Sequence, residues 1–230
     1  MNLPKQIIPL LLFGLLASSA VAAENGAVKI LQTGSFHSDE VPKNLGKNWF
    51  ALVASKGHAE LNAVTPKITT VYDPVLDDEK NKATYSGKLV EVNGKKSLLL
   101  VKMQGLSAGL VTQADISNSS TGQRIVFLNA EYLFQHKCKK AQAQNALRQC
   151  SIYLVGNGTK QWIADAQEGD DDYALSIRIK WAGDLDRDGK LDLIVDESTN
   201  NYSGVVLYLS SPAKQGKHVI PVARLSMSGC

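Results

Sequence analysis

The segment "YALSIRIKWAGDLDRDGKLDLIVD", residues 173–196, changes character twice. It begins as an alternation, with Leu175, Ile177, Ile179 and Trp181 at every second position and Ser176, Arg178 and Lys180 between them. A period of two sends successive side chains to opposite faces of an extended chain, so this half predicts a β-strand with one wet face. Aspartates then crowd together at Asp184, Asp186, Asp188 and Asp192, around Gly189. Alternation resumes with Leu191, Leu193 and Val195, and again with Val205, Leu207 and Leu209 in "GVVLYLS". Three strands on short connections predict an antiparallel meander whose first turn is the aspartate loop.

Four carboxylates converging without a cation would repel one another. A hard cation such as calcium takes six to eight oxygens from carboxylates and carbonyls, and a curled loop aims alternate residues at one centre. Asp184, Asp186 and Asp188 stand at the first, third and fifth positions of such a loop, and Gly189 at the sixth permits the sharp bend. Lys190 follows with its backbone carbonyl as the expected ligand and its side chain outward, and Asp192 closes the set. An EF-hand would carry a glutamate at the twelfth position, where this chain has Val195, and its flanks would be helices rather than strands. Asp196 lies about 13 Å beyond Asp192 along an extended strand, too far to share the ion. The alternative for the loop is a solvated acidic turn. "EGDDD", Glu168 to Asp172, lacks the ordered spacing and is read as such a turn.

The pattern Asp-x-Asp-x-Asp-Gly-x-x-Asp followed by Leu-Ile-Val resembles the calcium loops of the FG-GAP and VCBS repeats, which occur in integrin α-chain propellers and in many exported bacterial proteins. The resemblance covers residues 181–196 and occurs once in the chain. It implies one calcium ion, structural in role, in a loop that bridges two antiparallel strands. It implies no particular activity.

Upstream, "LVEVNGKKSLLLV" sets Asn93-Gly94 between two apolar runs, which predicts a hairpin. "SIYLVGNGTKQWIAD" repeats the signal around Gly156-Asn157-Gly158, and "NWFALVASKGHAELNAV" and "ITTVYD" read as further short strands. One short helix is expected over Lys140–Arg148. The polar stretch "ISNSSTGQR", Ile116 to Arg124, is either a boundary between two β-units or a long turn. Trp49, Trp162 and Trp181 all lie in strand-like runs, where core packing is favoured over a carbohydrate platform. The expected fold is therefore mainly β, one domain over residues 24–230, an antiparallel sandwich or meander with a calcium-binding hairpin at residues 175–197. A small β-propeller is the alternative.

Residues 1–23 carry Lys5, an apolar run from Ile7 to Leu16, and small residues ending in "SSAVAA", the three regions of a secretory signal peptide. The run is too short to span a bilayer, so export to the periplasm or beyond the cell is expected. Loss of Lys5 with the leader lowers the formal charge from +3 to +2. That balance argues for neither nucleic acid nor an anionic membrane as partner. Cys138 and Cys150 flank a polar segment between two strand-like runs and are paired here; a bridge across such a loop stabilises by about 3 kcal/mol in the chain-entropy model. Cys230 is left over. "GLSAG", Gly105 to Gly109, makes Ser107 a candidate nucleophile by motif, but no amphipathic helix follows, as a hydrolase elbow requires. His37, His58, His136 and His218 show no paired ligand spacing. The expected function is that of an exported calcium-binding β protein, non-catalytic, acting on a protein or glycan partner or as a structural component. A secreted hydrolase with structural calcium and a calcium-assisted carbohydrate-binding module are the alternatives.

Overall fold

The computed structural model describes residues 28–94, 96–139, 147–168 and 174–228. The predicted leader and Cys230 lie outside the described residues. So do residues 169–172 of the acidic run and residues 140–146 of the expected helix, whose last residue, Arg148, opens a strand.

The described chain is almost wholly antiparallel β. Its first strands are β1 (Lys29–Leu31), β2 (Gly34–Phe36), β3 (Trp49–Ser55), β4 (His58–Val64), β5 (Lys67–Val71), β6 (Gly87–Glu91), β7 (Leu99–Lys102) and β8 (Gly109–Gln113). A run of hairpins follows, β9 (Asp115–Ser119), β10 (Gly122–Phe127), β11 (Ala130–Cys138), β12 (Arg148–Gly156) and β13 (Thr159–Glu168). The chain closes with β14 (Ser176–Asp184), β15 (Asp192–Thr199), β16 (Tyr202–Leu209) and β17 (Ile220–Ser228). Among the described residues one 3-10 turn, Lys82–Thr84, interrupts the strands.

Nine strands form one sheet in the order β1-β7-β3-β4-β8-β14-β15-β16-β17, and its two end strands approach each other, so the sheet coils into a nearly closed barrel. β13-β12-β11-β10-β9 form a second sheet, and β2-β6-β5 a third. The expected three-stranded meander is present as β14 to β16, and β17 extends it. Sheets of nine, five and three strands are not the repeated four-stranded blades of a propeller, so that alternative falls.

Two cores follow from this arrangement. One fills the barrel with Trp49, Leu52, Leu61, Leu100, Trp181, Ile194 and Leu207 among others. The other lies between the barrel's outer wall and the five-stranded sheet, and includes Phe134, Ile152, Leu154, Ile179, Leu193 and Val195. β15 therefore has no wet face: Ile194 points into the barrel while Leu193 and Val195 point into the second core. This is the reason for the unbroken Leu-Ile-Val after the aspartates, since a strand covered on both sides reads as a continuous apolar run.

The tertiary structure corrects four expectations. Trp181 does not share a face with Ile177 and Ile179. Ile179 opposes Val195 and Trp181 opposes Ile194, so Lys180 is the extra residue of a β-bulge that turns Trp181 into the barrel. The Asn93-Gly94 bend does not close a hairpin. β6 bonds to β2 and β5 while β7 bonds to β1 and β3, so the bend carries the chain from one sheet to another. A turn signal specifies a change of direction but not a partner, and the wholly buried Leu99, Leu100 and Val101 suit the strand between β1 and β3. "ISNSSTGQR" is not a long turn but part of the β9–β10 hairpin, polar because β9 is an exposed edge strand. Trp162 is 55% exposed, on the outer face of the five-stranded sheet opposite Tyr153, and its neighbour Ile163 takes the core position.

The Cys138–Cys150 disulfide is present and joins directly opposed residues of β11 and β12. Among the described residues no helix is long and apolar enough to cross a membrane.

Candidate metal centre

The aspartate loop, residues 185–191, joins β14 to β15 at one rim of the barrel. Two glycines shape it. Gly183 lies where β8 and the Trp181 ring close in, and a Cβ there would meet the Thr112 carbonyl oxygen at 2.3 Å. Gly189 takes φ +81° in open space, a conformation that L side chains resist. Arg187 also adopts the left-handed region, at φ 63°, so the loop coils tightly enough to turn alternate residues inward.

Asp184, Asp186 and Asp188 each offer a carboxylate oxygen, and these oxygens lie within 4.8 Å of one another. Oxygens on opposite sides of one calcium ion, at ~2.4 Å each, stand at most about 4.8 Å apart. The donor set thus fits a single hard cation in both spacing and chemistry. The loop's own amides support the carboxylates: Asp184 accepts from the N–H groups of Asp188 at 2.9 Å and Gly189 at 3.0 Å, and the Asp188 N–H reaches Asp186 at 3.3 Å.

Asp192 sits differently. It is fully buried and not among the three whose oxygens converge. One of its oxygens accepts from Leu185 N–H at 2.8 Å, the other from Ser210 N–H at 2.8 Å and the Ser210 hydroxyl at 2.9 Å. It braces the loop's floor. Burial pushes its carboxyl up to about 7 against the pull of these donors, with the Asp186 charge adding to the rise. Burial likewise raises Asp184, helped by the charges of Asp188 and Asp186. Lys190 donates its N–H to Asp188 at 2.9 Å and keeps its side chain exposed, with Nζ 3.9 Å from Asp188. Asp196 is away from the cluster, 3.4 Å from the Lys180 ammonium.

Two serines belong to this centre without any signal in the sequence pattern. The buried Ser210 hydroxyl lies 3.1 Å from both Asp188 oxygens and links Asp188 to Asp192. Ser211 donates to Asp186 at 2.5 Å. Both follow β16, and only the return of that strand beside β15 brings them to the loop. "Ser-Ser" after an apolar strand is an ordinary strand end, so nothing local marks it.

Ser107 is exposed in the irregular connection between β7 and β8. Its hydroxyl and carbonyl accept from the Arg187 guanidinium at 2.9 and 3.0 Å. A guanidinium donates and removes no proton, and no strand–turn–helix surrounds this serine, so the elbow reading has no support in the geometry. The histidines are dispersed. His37 meets Asp73 at 2.5 Å, His136 meets Glu168 at 3.0 Å, His58 lies 3.7 Å from Glu60, and His218 meets the Thr159 carbonyl at 3.2 Å.

Compared with known proteins, the chain matches no family model, no curated protein and no solved structure.

Proposed function

We propose that this chain is an exported calcium-binding β protein in which one calcium ion stabilises the β14–β15 turn, and that it works by binding a partner or as a structural component. The convergence of the Asp184, Asp186 and Asp188 oxygens within the span of a single calcium ion carries the proposal. The signal-like leader and the Cys138–Cys150 bridge suit an oxidising compartment. The ion would neutralise the charge that burial and mutual repulsion make costly at Asp184, and the loop's backbone carbonyls, Lys190 among them, complete an oxygen shell of the kind calcium takes. The partner is a protein or a glycan; Trp162, exposed beside Tyr153, is the one observation that favours a glycan.

Thermal unfolding in calcium and in chelator tests the proposal. A ligand at a hundred times its dissociation constant stabilises by about 2.7 kcal/mol. In a chain of this size that raises the midpoint by roughly 5–10 °C. The rise is expected in the native chain and absent in Asp186→Ala. An unchanged native midpoint, with no calcium uptake by calorimetry, would sink it. A glycan array probed with the native chain and with Trp162→Ala separates the two kinds of partner.

A further inference from the structure

We infer that Arg187 is a positioning residue through which cation binding in the aspartate loop fastens the β7–β8 connection; this rests on the loop's being a calcium site. Arg187 lies between Asp186 and Asp188, yet its side chain leaves the loop altogether. Its Nε donates to the Leu110 carbonyl at 3.1 Å, and one Nη donates to both the carbonyl and the hydroxyl of Ser107, at 3.0 and 2.9 Å. A guanidinium is suited to such a role because its planar fork holds several acceptors in fixed directions.

The place where this fork lands is a weak point of the barrel. β8 is the seam between the strands contributed by the first part of the chain and those contributed by the last. Against β14 it has two register pairs, Gly183 with Gln113 and Asp184 with Thr112, continued by the Ala114 N–H to the Ala182 carbonyl at 2.9 Å. Against β4 it has three, from Ala59 with Val111 to Leu61 with Gly109. Asp184 is thus both a metal-loop carboxylate and the last paired residue of the seam. The exposed Leu110 belongs to the same strand.

A cation drawn in by Asp186 and Asp188 fixes the backbone on both sides of Arg187 in the left-handed turn that aims the fork at residues 107–110. Without the cation, three carboxylates repel and that turn is held by hydrogen bonds alone. Ordering of residues 103–113 is therefore coupled to calcium, and Arg187 carries the coupling.

Hydrogen exchange of the full chain, with calcium chloride and with chelator, tests this alongside terbium luminescence for occupancy of the loop. In the native chain calcium is expected to slow exchange ~10-fold or more in peptides spanning 103–113. Arg187→Asn keeps a residue that tolerates the left-handed conformation but removes the fork. It is expected to bind terbium within about threefold of native and to lose the response at 103–113 while keeping it at 184–192. Arg187→Gly serves the same purpose should the asparagine variant fail to fold. A response at 103–113 that survives in either variant overturns the coupling, as does a native chain that binds terbium with no change there. A native chain that binds neither terbium nor calcium overturns the metal centre itself, and the coupling with it.

Discussion

Asp192 and Asp184 show how one residue type divides its work within a single loop. Asp184 turns toward the other carboxylates, whereas Asp192 turns into the floor and spends its oxygens on the amides of Leu185 and Ser210. Ser210 is the joint between the two layers, because its hydroxyl reaches Asp188 above and Asp192 below. Removing that hydroxyl takes one of the two donors from the buried Asp192 oxygen and cuts its link to Asp188. Such a deletion costs about 1–3 kcal/mol. Ser210→Ala is therefore expected to lower the unfolding free energy by that amount, seen as a lower urea midpoint with the slope unchanged. Ser211→Ala, at the exposed rim, is expected to change it far less. Urea titration of the two variants checks the contrast.

At the scale of elements, the bulge at Lys180 is what lets one strand serve two cores. Before it, β14 sends Ile177 and Ile179 outward to the five-stranded sheet. After it, Trp181 and Leu185 fill the barrel. Trp181 and Trp162 look alike in their local alternation but differ wholly in burial, at 2% and 55% exposed. Truncating a buried tryptophan costs about 3–5 kcal/mol, while a change on an exposed sheet face stays within about 0.5 kcal/mol. Trp181→Ala should accordingly unfold far earlier than Trp162→Ala in parallel thermal melts. Equal losses would mean that the bulge does not turn the ring inward. The same geometry explains why Gly183 carries no side chain, with the Trp181 ring on one side and the β8 backbone on the other.

Across the whole molecule, early and late strands of the described chain are tied together by a polar cluster apart from the metal loop. His37 follows β2, Asp73 follows β5, and Glu40 accepts from the His37 N–H at 2.9 Å and from Ser228 N–H, at the end of β17, at 2.5 Å. The Asp73 hydrogen bond raises His37 above the ordinary histidine value, against the opposing effect of burial, and the charges of Glu40 and Asp39 add to the rise. Asp73 is lowered in turn by its bond to His37. A base whose folded value is raised contributes its full stability below its unfolded value, about 6.5, and loses it as pH climbs through the folded value. The partner acid contributes above its own unfolded value, about 3.9, and loses this as pH falls through its depressed folded value. These are two faces of one interaction, with its fullest effect between about pH 4 and 6.5. The thermal midpoint is expected to decline as pH rises above 6.5, and His37→Gln to flatten that decline; melts at stepped pH check it.

Much of this was written locally. Alternation in residues 173–209 determines the β14–β16 meander, because successive side chains of an extended chain point to opposite faces wherever no bulge intervenes. The Asp184-Asp186-Asp188-Gly189 spacing likewise determines a loop whose carboxylates converge, since adjacent residues of a tight turn have little freedom. Cys138 and Cys150 could be paired from their flanking strands. What only the tertiary structure decided were the properties that depend on a distant partner. These are which core Trp181 enters, which sheet receives the strand after Asn93-Gly94, where Ser210 and Ser211 arrive, and what Arg187 grips. Burial, strand pairing and hydrogen-bond partners are properties of two segments together, and residues far apart in the chain acquire them only when the barrel closes.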